Sequence, residues 1–189
     1  AGVAISLAIL AQVWQSGAPL SYRVGGWAPP LGIALRADGL AVIMVLTTAL
    51  VIGAIGLYAR DNVGAGGGRA AQAFWTLLMG VWAGLNAVWF AGDLFTLYVA
   101  LELLTFGAVP LVSLDGKPDT LAAALRYLLF ALVGSALYLL GTALLYGGYG
   151  TLDIALLAER VRPGAVVMVA GALMTAGLIA KTALFPLHL

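Results

Sequence analysis

The chain has 189 residues, of which 63% are hydrophobic and only 9% charged, with a mean hydropathy of +1.07; soluble domains carry about 25% charged residues, so an ordinary soluble globule is excluded and a polytopic membrane protein is indicated. Nine Lys/Arg nearly cancel eight Asp/Glu, which leaves no basic face for nucleic acid. The absence of cysteine excludes disulfides, thiolate metal sites, thiol nucleophiles and cysteine-ligated iron–sulfur clusters on this chain, and the single histidine, His188, excludes a multi-histidine metal site.

Residues 1–15 are apolar and reach Trp14, too short to span a bilayer but suited to the second half of a helix. With Ala1 at the start and an apolar run ending at Leu189, the chain reads as a fragment cut through membrane helices, although a cleaved signal peptide would explain the start equally well. Residues 16–37 contain Gly17, Pro19, Gly25, Gly26, Pro29, Pro30 and Gly32, a density of turn formers that predicts a connecting loop. Asp38 then stands where it can cap an apolar helix running through Tyr58.

The stretch 60–69 includes Gly64 to Gly68, GAGGG, with no preceding strand and no Lys-Ser/Thr, so it reads as a linker and not as a phosphate loop. Residues 70–92 are uncharged, with Phe74 and Trp75 near one end and Trp89 and Phe90 near the other, as interfacial belts require; Gly80 and Gly84 form a GxxxG pair for close helix approach. Gly92 predicts a tight antiparallel hairpin into the next helix, 93–114, with Asp93 read as a helix cap or a proton site. A polar turn at 115–120 leads to a helix over 121–146, ended by Gly147 to Gly150, and 151–162 predicts a short amphipathic helix on the membrane surface. Residues 165–189 form the last span. Arg23, Arg36, Arg160 and Arg162 balance Arg60, Arg69, Lys117 and Arg126 on alternate sides, so positive charge does not decide orientation.

Two of these spans carry a charge where none is expected. Glu102 lies near the centre of 93–114, where an ionisable group costs roughly 2.5–3.5 kcal/mol and usually faces a protein interior or a water-filled path. Tyr98 and Thr105 share its helical face. Lys181 occupies the last span, with Pro186 five residues later to break the helix and His188 at i+7; broken membrane helices line cavities, because the freed backbone groups need partners. Burial disfavours the charged form of an amine and a nearby carboxylate favours it, so moving one switches the proton affinity of the other. A change of three pKa units asks about 4 kcal/mol of the driving event. Ser135, Tyr138 and Thr142 line one face of the intervening helix and suit either ordered water between the charges or ordinary interhelical hydrogen bonding. The residues alone also allow Glu102 and Lys181 to form a packing salt bridge. They allow Arg126 to be a snorkelling interfacial residue or a relay, and His188 to be a channel relay or a satisfied helix-end side chain.

The segments GGWAPPLGIALRADGLAVIM, AGDLFTLYVALELL, LRYLLFALVGSALYLLGTALLY and GLIAKTALFPLHL resemble, in order and spacing, the antiporter-like membrane subunits shared by respiratory complex I, multisubunit sodium/proton antiporters and membrane-bound hydrogenases. The resemblance implies an all-α transmembrane bundle, with residues 1–189 forming part of one antiporter-like domain of about fourteen helices, from the end of the second through much of the seventh, and no soluble domain. The family's proton-pathway glutamate falls on Glu102, and its broken-helix lysine on Lys181 with Pro186 near the break. Its basic residue followed by tyrosine falls on Arg126 and Tyr127. Arginine does not readily release a proton, so Arg126 is expected to be an electrostatic partner of Glu102. The resemblance places 60–69 and 115–120 in the cytoplasm and the chain in a bacterial or archaeal cytoplasmic membrane.

The expected function is proton translocation within a multisubunit membrane complex in the lipid bilayer, by a non-redox subunit that binds no cofactor itself; any redox cofactors sit on partner subunits. Two competing expectations are a secondary antiporter exchanging Na+ for protons without a redox partner, toward which the GGWAPP and GDLF segments lean, and a non-conducting structural subunit. No nucleophile–base pair or metal constellation supports an enzyme acting alone.

Overall fold

Apolar runs bounded by Asp, Pro and Gly set the helices of this chain. The structure, a computed structural model, describes residues 2–29, 32–62 and 68–182. In order these form α1 (Gly2–Ser16), β1 (Leu20–Arg23), β2 (Ala34–Ala37), α2 (Gly39–Asn62), α3 (Arg69–Phe90), α4 (Leu94–Val112), α5 (Pro118–Tyr149), α6 (Ile154–Arg160) and α7 (Ala165–Lys181). Among the described residues, four helices, α2 to α5, are long and apolar enough to cross a membrane, whereas α1 and α7 are shorter apolar helices. The 32 residues of α5 extend about 48 Å, well beyond a hydrocarbon slab of roughly 30 Å.

Helix starts follow the capping residues. Asp38 Oδ1 accepts the Ala41 amide at 3.0 Å, and Asp153 Oδ1 the Leu156 amide at 2.9 Å. Asp93 accepts both the Thr96 amide at 2.7 Å and the Thr96 hydroxyl at 2.5 Å, which uses a buried carboxylate to satisfy free donors of the first turn of α4. Pro118 opens α5 without wasting an amide. The helix continues through Gly147 and Gly148 and stops only at Gly150, whose φ of 66° is open to glycine without strain. α2 likewise runs one turn past Tyr58, to Asn62.

The 16–37 connection carries order that its turn formers did not announce. It contains an antiparallel hairpin in which Leu20 pairs with Ala37 and Arg23 with Ala34, closed in part by a 3₁₀ turn at Val24–Gly26. The reason lies in how the turn formers are distributed: Leu20–Arg23 and Ala34–Ala37 contain no Gly or Pro, and the breakers gather between them. This hairpin then braces the bundle. The Gly92 amide donates to Ala34 O at 2.9 Å, while Ile154 N donates to Gly92 O and Leu94 N to Leu152 O, both at 3.0 Å. The α3–α4 connection is thus held between the hairpin and the start of α6, so its backbone groups are paired. Only glycine fits at position 92, since a Cβ there would sit 2.6 Å from Ala34 O. The amphipathic 151–162 segment contributes the shorter α6, with Leu157 buried and Glu159 and Arg160 exposed.

Successive helices from α1 to α5 pack as neighbours, and two pairings are the most extensive: α3 with α4, and α5 with α7. In the first, a Cβ on Gly84 would lie 3.1 Å from the Leu104 amide and one on Gly107 would lie 3.1 Å from Val81. Gly84 of the GxxxG pair therefore lies against the Leu104 backbone, and Gly107 lies against Val81 and the Gly80 backbone. In the second, the buried stripe of α5 is Ala131, Gly134, Ser135, Tyr138, Gly141, Thr142 and Leu145, spaced as one helical face. Gly134 faces the Gly177 carbonyl, with 2.7 Å to a Cβ built on Gly134, and Gly141 faces the Ala170 carbonyl at 2.6 Å. Small residues thus let the two backbones approach as membrane helices do.

Gly177→Val should overpack this contact and destabilise the protein by about 1–3 kcal/mol. Gly171→Ala, on the same helix with open space around its Cβ position, should leave stability unchanged or slightly raised. Thermal unfolding of the purified protein in detergent distinguishes the two; equal stability would overturn the packing account.

Candidate functional site

Glu102 projects from α4, Ser135 from the buried stripe of α5, and Lys181 is the last residue of α7. The Lys181 ammonium donates to Glu102 Oε1 at 2.8 Å and to Ser135 Oγ at 2.8 Å. The Ser135 hydroxyl is within hydrogen-bonding reach of the same Glu102 oxygen and of its own helix's Ala131 carbonyl, the latter at 2.9 Å. Lys181 and Glu102 side chains are only 10% and 12% exposed, and Ser135 is 4% exposed. A carboxylate, a hydroxyl and an ammonium from three helices therefore meet inside the bundle.

Local structure explains the meeting. The close approach of Gly134 and Gly177 brings the backbone at the end of α7 against α5, with the Lys181 amide 3.1 Å from a Cβ built on Gly134. That leaves Ser135, the next residue, beside the lysine stem. α7 ends here, with the Thr182 amide donating to Leu178 O at 3.0 Å. A carboxylate opposite an ammonium at this separation is the arrangement that makes two buried charges tolerable.

The other predicted residues take different places. Thr105 is buried with its hydroxyl on Leu101 O at 2.9 Å, and the Tyr98 ring packs against Phe95 at 6.0 Å. Tyr138 donates to Leu94 O at 3.4 Å, and Thr142 to Tyr138 O at 2.9 Å. Of the α5 stripe, then, only Ser135 stands between the charges, while its neighbours bond to backbone. Arg126 departs from expectation: its Nε donates to Ala122 O at 3.4 Å and the residue is exposed, while Glu102 takes Lys181 as its cation. Nine residues separate Arg126 from Ser135, about 14 Å along the axis and half a turn out of phase, which puts Arg126 on the opposite face of α5. Tyr127 beside it is 39% exposed. Pro186 and His188 lie outside the described residues.

Residue-by-residue reading of the charged positions missed Gly134, Gly141 and Gly177. The signal was present as small residues seven apart, Gly134 and Gly141 on α5 and Ala170 and Gly177 on α7.

Residues 91–189 match the family model described as NADH:quinone oxidoreductase/Mrp antiporter, transmembrane. The chain is 33% identical over 190 residues to an Na(+)/H(+) antiporter subunit of Bacillus subtilis, covering 99% of this chain and 38% of that protein. It is 38% identical over 182 residues to an NADH-quinone oxidoreductase subunit of Desulforudis audaxviator, covering 95% of this chain and 36% of that protein. A chain of the membrane-bound sulfane sulfur reductase, an archaeal respiratory membrane complex, superposes with a TM-score of 0.88 at 31% identity, covering 98% of this chain and 38% of that one. The chain thus spans a little over a third of the length of the proteins it matches. With its apolar helices and matching fold, this chain belongs to the NADH:quinone oxidoreductase/Mrp antiporter transmembrane family.

Proposed function

We propose that the chain is the part of an antiporter-like membrane subunit that loads and releases a proton, with Glu102 and Lys181 as the switching pair. The observation that carries this reading is their 2.8 Å contact, mostly buried and made between helices of two different packed pairs. In this reading, withdrawal of the carboxylate leaves the ammonium uncompensated inside the protein and is coupled to transfer of a proton from Nζ to water. Return of the carboxylate recaptures a proton on Nζ. Each step conserves charge, and the driving event supplies the separation of the pair.

In this reading the working unit is a multisubunit complex in a bacterial or archaeal cytoplasmic membrane. The chain binds no cofactor, and any redox group belongs to a partner subunit. The relatives include both a sodium/proton antiporter subunit and a quinone oxidoreductase subunit at similar coverage. A second reading, Na+ exchange without a redox partner, is therefore carried alongside. Proton flux that requires a Na+ gradient and no electron donor would select it.

In the intact complex reconstituted into vesicles, Glu102→Gln and Lys181→Met should each reduce proton flux at least tenfold while assembly is retained. Undiminished flux in both would remove the proposal. A thermodynamic check is independent of transport: removing one partner of a buried pair typically costs 3–5 kcal/mol, because the other charge is left uncompensated. Glu102→Gln alone should accordingly lower stability by about 3 kcal/mol, and the double replacement Glu102→Gln with Lys181→Met should recover most of it. Additive losses in that cycle would show that the two charges do not act as a pair.

A further inference from the structure

Ser135 has one hydroxyl proton and two acceptors within its reach, Glu102 Oε1 and the Ala131 carbonyl at 2.9 Å. Its oxygen accepts from Lys181 Nζ at 2.8 Å. A hydroxyl donates once and accepts through its lone pairs, so it can keep the amine while choosing between the two acceptors. Changing acceptor requires only rotation of the hydroxyl hydrogen, because Ala131 O is already at bonding distance.

The packing determines which contact survives movement. Ser135 and Lys181 belong to the α5–α7 pair, whose backbones touch through Gly134 with Gly177 and Gly141 with Ala170. Glu102 belongs to the α3–α4 pair, joined through Gly84 and Gly107, and α4 meets α5 over a smaller contact. Displacement of one pair against the other separates Glu102 from Lys181 and leaves Ser135 with the lysine. A buried polar group left without a partner is destabilised, so an opened pair needs a second partner for the amine and for the hydroxyl. Ser135 and Ala131 supply both.

We propose that Ser135 is a positioning residue for the pair: its hydroxyl donates to Glu102 when the pair is closed, turns to Ala131 when the pair opens, and accepts from the Lys181 amine throughout. This inference rests on the reading of Glu102 and Lys181 as the switching pair.

The test uses the intact complex carrying Ser135→Ala or Ser135→Thr, with two readouts. One is the infrared carboxylate band of Glu102, identified by its loss in Glu102→Gln; the other is proton flux in vesicles. Ser135→Ala removes a single atom and leaves the Gly134–Gly177 contact intact, so assembly should hold. The band should shift and flux should fall about tenfold, the effect of losing one hydrogen bond to a charged group. Ser135→Thr, which keeps the hydroxyl, should restore both. An unmoved band and wild-type flux in Ser135→Ala, with flux still sensitive to Glu102→Gln, overturn the role of Ser135 alone. A shifted band with flux insensitive to Glu102→Gln and Lys181→Met supports the hydroxyl's placement and overturns the proton reading beneath it.

Discussion

The contact between the Glu102 carboxylate and the Lys181 ammonium, 2.8 Å long and mostly buried, ties together helices from two separate packed pairs. Neither charge is at home in a hydrocarbon layer. Together, with the Ser135 hydroxyl bonded to both, they share their desolvation. The three side chains come from three helices, so their positions specify how α4, α5 and α7 must sit relative to one another. A polar cluster of this kind adds little net stability but penalises every arrangement in which one member is stranded.

The helices reach that geometry through small residues. In a bilayer no hydrophobic force pushes helices together, and association depends on packing and interhelical polar contacts. Gly134 against Gly177 and Gly141 against Ala170 bring α5 and α7 within backbone contact, and Gly84 with Gly107 does the same for α3 and α4. Among the described residues, α3 with α4 and α5 with α7 thus form two tightly joined pairs with a looser seam between them, and the charged cluster straddles that seam. Interfaces of this kind rearrange between discrete packings more readily than they deform continuously.

At one end of the bundle the hairpin of β1 and β2, the Gly92–Leu94 connection and the start of α6 are joined by main-chain hydrogen bonds. The Asp93 and Asp153 carboxylates each cap a helix in this region. This assembly fixes where α4 begins, and hence the depth of Glu102 two turns further on. It also absorbs Asp93 into a structural task, with both carboxylate oxygens engaged by Thr96.

Much of this was written locally in the chain. Apolar length specified the spans, Asp38 and Asp93 announced helix starts because short side-chain acceptors satisfy free amides, and Glu102 and Lys181 stood out because ionisable groups are rare in such spans. The hairpin was marked only faintly, by two breaker-free tetrads flanking a cluster of Gly and Pro, since strand pairing joins residues distant in sequence. What the tertiary structure alone decided was partnership. The resemblance offered Arg126, and the residues themselves Lys181, as the cation facing Glu102; the phase of α5 turns the arginine to the opposite face, while the glycine contacts drew the lysine in. Local composition determines which segments are helices and where charges lie along them; which charges meet depends on helix rotation and approach, and these are set by packing between segments far apart in the chain.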